Sequence, residues 1–158
     1  MIFITVGTTA FPFDRMVEAA KGLIKSRKKN ETIIFQHGNT ICDIREKNVF
    51  LYKSLPFPEM EQYIRQARII VTHGGPATIY QTLAVGKTPY VLPREKRYYE
   101  HVDDHQVYFC RYLFNRHIIK LVKPPYSFQA QEFNKPIRLS SDKRLLSYLD
   151  ATMNSYDI

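Results

Sequence analysis

Apolar positions in this chain come as short runs separated by longer stretches with helical spacing. Met1 to Val6 is too short for a stable helix and stops at Gly7, so it reads as a strand. From Asp14 to Lys28, the residues Met16, Val17, Ala20, Leu23 and Ile24 fall on one helical stripe. A second strand is expected at 32–36, before His37-Gly38-Asn39, and a weaker third at 49–52. Pro58, Glu59 and Met60 open a helix to about Ala67, because proline and an acid suit the first turn. Ile69-Ile70-Val71-Thr72 is the clearest buried strand, and it runs into His73-Gly74-Gly75-Pro76. A helix from Pro76 to Val85, a strand at 88–92, a helix from about Val102 to Phe114 and a strand at 117–122 complete the alternation. After Pro124-Pro125 the pattern weakens, with a closing helix expected at 142–150.

Six strands with intervening helices predict an α/β fold: a mainly parallel, doubly wound, Rossmann-like sheet with helices on both faces. We expect one domain spanning 1–158, without repeats or linkers. Ligands of such sheets lie beyond the carboxyl ends of the strands. The loops that matter are then Gly7-Thr8-Thr9, His37-Gly38-Asn39, His73-Gly74-Gly75-Pro76 and Pro93-Arg94. Gly74 and Gly75 let main-chain amides approach a ligand, and the helix behind them offers a positive end and free N–H groups to an anion. Thr78 adds a hydroxyl there. The same glycines also suit a plain strand-to-helix turn. With no Walker lysine and no G-x-G-x-x-G spacing, nucleoside triphosphate and dinucleotide readings fit poorly.

Composition changes this picture in two places. The 158 residues carry 23 Lys and Arg against 15 Asp and Glu, a formal net charge of +8, which favours an anionic partner such as nucleic acid, acidic lipid or a phosphorylated ligand. The stretch from Arg94 to Gln106 is dense in polar groups, and Arg94 and Arg97 suit phosphates. Its His101, Asp103, Asp104 and His105 suggest a metal but lack a coherent ligand set, so no metal and no cofactor is expected. Cys42 and Cys110 have no metal-type spacing and read as reduced cytosolic thiols. No run approaches the roughly 18 apolar residues of a membrane span, and the N-terminus lacks the basic region and cleavage site of a signal peptide.

The segments Val71 to Ile79, Gly86-Lys87-Thr88-Pro89, Val91-Leu92-Pro93-Arg94 and His101-Val102-Asp103-Asp104-His105-Gln106 together resemble the C-terminal domain of glycosyltransferase family 28. The opening Ile4 to Thr9 with Phe13 and Asp14, and the Gln36-His37-Gly38-Asn39 turn, are similar to the small catalytic subunits of two-part enzymes, the Alg13-like kind and bacterial exopolysaccharide or capsule subunits. The resemblance spans residues 1 to 122 in order. It implies half of a GT-B fold with a UDP-sugar donor. By that likeness Gly74, Gly75, Ala77 and Thr78 cradle the diphosphate, Gly7, Thr8, Thr9, His73 and Arg94 belong to the same UDP-sugar site, and Phe57 lies where the main chain reaches the uracil. His105 and Gln106 match the pair aimed at the donor sugar. Gln81 stands where the family has a glutamate for the ribose hydroxyls; it keeps hydrogen-bonding groups but loses the charge-assisted bond.

The activity so implied is inverting hexosyl transfer to a lipid-linked saccharide in polysaccharide biosynthesis. The acceptor hydroxyl attacks the anomeric carbon opposite UDP, a base takes its proton, and positive groups stabilise the leaving diphosphate. Arg94 and His105 are candidates for that stabilisation. The base is expected on a membrane-anchored, Alg14-like partner that holds this chain peripherally at the cytoplasmic face. Two other readings stay open: a non-catalytic nucleotide-sugar-binding subunit, and a basic nucleic-acid-binding α/β module.

Overall fold

In the computed structural model, which describes residues 1–126, six parallel strands form one sheet. They are β1 (Ile2–Thr5), β2 (Ile33–Gln36), β3 (Val49–Tyr52), β4 (Ile69–His73), β5 (Tyr90–Leu92) and β6 (Lys120–Leu121). Four helices connect them: α1 (Asp14–Ser26), α2 (Phe57–Gln66), α3 (Pro76–Ala84) and α4 (His105–Asn115). The strand order is β3-β2-β1-β4-β5-β6, so the winding reverses between β1 and β4. A crevice opens at such a reversal, because the loops leaving the two neighbouring strands turn toward opposite faces.

Side-chain alternation assigns the faces. Ile2, Ile4, Ile33, Phe35, Ile69, Val71, Tyr90 and Leu92 pack with Phe13, Met16, Val17, Ala20 and Leu23 on the α1 side. Phe3, Ile34 and Ile70 point the other way, onto Ile64 and Ala67 at α2. Val91 joins Ile79 and Leu83 of α3 and Cys110 and Leu113 of α4 on that second face. Ile2, Phe3 and Ile4 are fully buried, and each side chain so removed from water stabilises the fold by about 1.5–3 kcal/mol. A central strand covered on both faces explains why β1 and β4 read as continuous apolar runs.

The structure differs from the expected elements mainly around α4, which starts at His105 rather than 102. Asp103 Oδ1 accepts the His105 main-chain N–H at 3.1 Å, and Asp104 Oδ1 accepts that of Lys96 at 2.7 Å. These local bonds compete with the helical pattern and hold 101–104 as a loop. A short 3₁₀ turn at Lys96–Tyr98 precedes it. The helix expected at 142–150 lies outside the described residues. Among the described residues, no helix is long and apolar enough to cross a membrane.

One lysine closes the α2–β4 corner. Lys87 Nζ donates to the carbonyls of Ile64 (2.8 Å), Ala67 (2.7 Å) and Arg65, satisfying acceptors that the end of α2 leaves open. Replacing Lys87 with alanine should lower the unfolding free energy by about 2 kcal/mol, read from urea denaturation, since several charge-assisted bonds go at once. A loss within experimental error would mean that water replaces the ammonium without cost.

Candidate functional site

The carboxyl ends of β1, β4 and β5 carry loops that interlock around the His73 ring. Gly75 N–H donates to His73 Nδ1 at 2.8 Å. Nδ1 is therefore the acceptor, and the neutral ring carries its proton on Nε2. A Cβ built on Gly75 would lie 2.0 Å from the ring's Cε1, and one on Gly7 would lie 2.0 Å from Nε2. Gly7 also has a φ of +78°, a conformation that side chains disfavour. The two glycines thus clear space for the imidazole. Burial, helped by the nearby charges of Arg94 and His101, pushes the His73 pKa down to about 3.

Gly74 faces α4. Its N–H donates to Gln106 Oε1 at 3.1 Å, and a Cβ there would meet Cys110 Sγ and Gln106 Cβ at 2.9 Å. The same Gln106 oxygen accepts from Arg94 N at 3.2 Å, so one carboxamide ties the β4 loop to the β5 loop. Sequence reasoning aimed Gln106 at a sugar; its oxygen instead holds the frame of the site.

Arg94 requires a correction. Its side chain is fully buried. The guanidinium donates to the carbonyls of Val6 (2.9 Å), Phe11 (3.0 Å), Pro12 (3.2 Å) and Glu100 (3.1 Å), and stacks 4.4 Å from the Phe13 ring centroid. Enclosed this way it is a strut between the β1 and β5 loops, not a phosphate ligand. Burial, with Arg15 close by, lowers its pKa to about 10, so it still carries its charge at neutral pH. Arg97 is 69% exposed and pairs with Glu95 at 2.6 Å.

A second arginine reinforces that strut. Arg15 on α1 reaches Glu100 Oε1 (2.8 Å), Glu95 Oε1 (2.9 Å) and the Pro93 carbonyl (2.8 Å), while Glu100 also takes the Glu95 N–H at 3.0 Å. Sequence reasoning missed Arg15 and Glu100, because an arginine in a first helical turn and a glutamate in a polar stretch both read as solvated. The 3% exposure of Glu100 is visible only in three dimensions. Thr5, Gln36 and the Gly7 loop are linked similarly: Gln36 Nε2 donates to Gly7 O at 2.9 Å and Gly7 N–H to Thr5 Oγ1 at 3.2 Å.

The remaining candidates line the same edge. Thr8 is exposed and Thr9 half-buried behind Gly7. Pro76 begins α3, whose N-cap Gly75 makes no side-chain cap and whose first turn holds no acid. Ala77 is exposed there and Thr78 buried. On α3, Gln81 Oε1 is shielded from solvent and has no hydrogen-bond partner. His105 stands at the start of α4 beside His101, with ring centroids 4.6 Å apart. Phe57 is 61% exposed on α2 beyond β3. Three strand spacings, about 14 Å, separate β3 from β4, so Phe57 shares the edge without joining the cluster.

A cleft floor of uncapped amides, neutral imidazole and hydroxyls, with no carboxylate in the α3 first turn, is chemically suited to a phosphorylated ligand. The glycosyltransferase family 28 C-terminal domain model matches residues 1–130. Among solved structures, the glycotransferase of kitacinnamycin matches at a TM-score of 0.59 and 16% identity, and the glycosyltransferase SnogD from Streptomyces nogalater at 0.59 and 15%. CalG4, the calicheamicin glycosyltransferase, matches at 0.58 and 12%. Each alignment covers 97% of this chain and 38% of the other, so the chain spans little more than a third of their length. At these identities the likeness is one of fold, the six-stranded half of a GT-B architecture. No curated protein sequence matches the chain.

The half-buried, neutral His73 has a pH signature. Its pKa falls from 6.5 in the unfolded chain to about 3 in the folded one, so the unfolded state takes up a proton first as pH drops. Stability is therefore full above pH 6.5 and declines as pH falls toward 3. His101, also lowered by burial, acts in the same sense. Urea unfolding at pH 7.5 and pH 5 should show a smaller loss for a His73→Asn variant than for the native chain. Equal losses would indicate that His73 is protonated in the fold.

Proposed function

Because the chain belongs to the glycosyltransferase family 28 C-terminal domain family, we propose that it is the donor-binding half of a sugar-transfer enzyme that uses a UDP-sugar. The observation that carries this reading is the uncapped N-terminus of α3, set behind Gly74 and Gly75 beside the β1–β4 reversal. In this reading the diphosphate lies on the α3 amides and the Thr8, Thr9 and Thr78 hydroxyls. The His73 Nε2–H, held by its bond to Gly75, faces the same cleft as a neutral donor. His105 reaches the sugar, Gln81 the ribose and Phe57 the base. Burial in the α3 wall leaves the Gln81 carboxamide oxygen without a partner, which suits it to accept a ribose hydroxyl.

The reaction is inverting hexosyl transfer. As the anomeric C–O bond to UDP breaks, negative charge grows on the leaving diphosphate, where helix-end amides and hydroxyls already point. The general base belongs to a membrane-anchored, Alg14-like partner that completes the cleft and presents a lipid-linked saccharide. The chain then works at the cytoplasmic face of a membrane in polysaccharide biosynthesis, and its net charge of +8 suits anionic lipid and a pyrophosphate-linked acceptor. No metal is needed for the transfer itself. Gln81 in place of a glutamate favours a second reading, a nucleotide-sugar-binding subunit without transfer activity of its own.

Calorimetric titration with UDP should show saturable binding that UMP and ATP do not match, weakened about tenfold by Thr78→Ala, the effect of losing one hydrogen bond to a charged group. A chain indifferent to UDP, alone and with its partner, would remove the donor reading. Gln81→Glu separates the two functional readings. It should tighten UDP-sugar binding in both, while only an enzyme transfers sugar once the partner and a lipid-linked acceptor are supplied.

A further inference from the structure

The loop between the 3₁₀ turn and α4 brings two imidazoles and a carboxylate together outside the hydrogen-bonded frame of the cleft. We propose that His101, Asp103 and His105 form a binding site for a divalent transition-metal ion, Zn²⁺ being the best match. One donor atom from each lies within 4.8 Å of the others. His101 Nδ1 is 3.4 Å from Asp103 Oδ1, and His105 Nδ1 bonds the same oxygen. Donors held at Zn²⁺ bond lengths in a tetrahedral site stand about 3.3 Å apart, so the His101–Asp103 pair is already at that spacing, while the His105–Asp103 hydrogen bond must open to admit an ion.

A second observation points inward to the same place. His101 Nδ1 is shielded from solvent and has no hydrogen-bond partner. A polar atom left so is costly, and an ion between the three side chains would satisfy it. Asp104 is excluded, since its Oδ1 takes the Lys96 N–H at 2.7 Å. The set is half-exposed, with side-chain exposures of 19% for His101, 56% for Asp103 and 36% for His105, which leaves remaining coordination positions to water.

Two imidazoles with one carboxylate favour Zn²⁺, Co²⁺ or Ni²⁺ over Mg²⁺ or Ca²⁺, which prefer all-oxygen sets. The loop is held beforehand, because Arg94 fixes the Glu100 carbonyl at 3.1 Å and Arg15 fixes its carboxylate. Metal and donor also compete for His105, a consequence that rests on the UDP-sugar reading above. The ion would then act as a brake on donor binding and not as part of the transfer.

Titrating the full chain with Zn²⁺ by calorimetry and with Co²⁺ by visible absorption tests the site directly. We expect one saturable ion, with the d–d bands of a nitrogen- and oxygen-ligated Co²⁺, and at least tenfold weaker binding in His101→Ala and Asp103→Asn. On the native chain, Co²⁺ should shift the ring resonances of His101 and His105 and leave His37 and His117 unmoved. No saturable uptake, undiminished binding in both variants, or shifts confined to the other histidines would overturn the site. UDP-galactose should bind more weakly to Zn²⁺-loaded chain. Equal affinity would overturn the competition alone, whereas failure of UDP-galactose to bind metal-free chain would count against the donor reading and leave the metal spectra to decide the site.

Discussion

A buried guanidinium surrounded by main-chain carbonyls joins the two halves of the sheet edge. Arg94 bonds the segment after β1 at Val6, Phe11 and Pro12 and the segment after β5 at Glu100. Those loops leave strands on either side of β4, and the strut bridges them directly across the crevice. Burying such a charge is tolerable because both terminal nitrogens meet carbonyl acceptors, although Nε has none, and an aromatic face lies against the group. Arg15 and Glu100 add a mostly buried ion pair behind it, and removing one member of such a pair costs about 3–5 kcal/mol through the charge left behind.

Within that frame, positions that look like a ligand loop also serve the protein's own packing. Gly7 and Gly75 make room for an imidazole, and Gly74 for the start of α4. The ring in turn is fixed in one tautomer by the Gly75 amide, and its burial keeps it neutral.

The cleft has one wall. The chain spans 38% of the length of the GT-B structures it matches, and the described residues supply groups for a nucleotide but no second surface facing them. The His101–His105 loop leads into α4 next to the Arg94 frame, which holds the Glu100 carbonyl just before it.

The sequence by itself determined the sheet. The continuous apolar runs of β1 and β4, the apolar stripe of α1 and the Gly-Pro punctuation at α3 and β5 are local signals, and the order of elements follows from them. It also marked the loops at the carboxyl edge, because that location follows from a parallel sheet alone. The tertiary structure decided what each polar side chain in those loops does. Arg94 and Gln106 read as ligand-facing groups, since the carbonyls and amides that occupy them come from segments up to 88 residues away. Glu100 and Arg15 carry no local sign of their pairing for the same reason. Main-chain acceptors carry no signature in the amino-acid code, so which charge is buried against them is settled only when the loops meet.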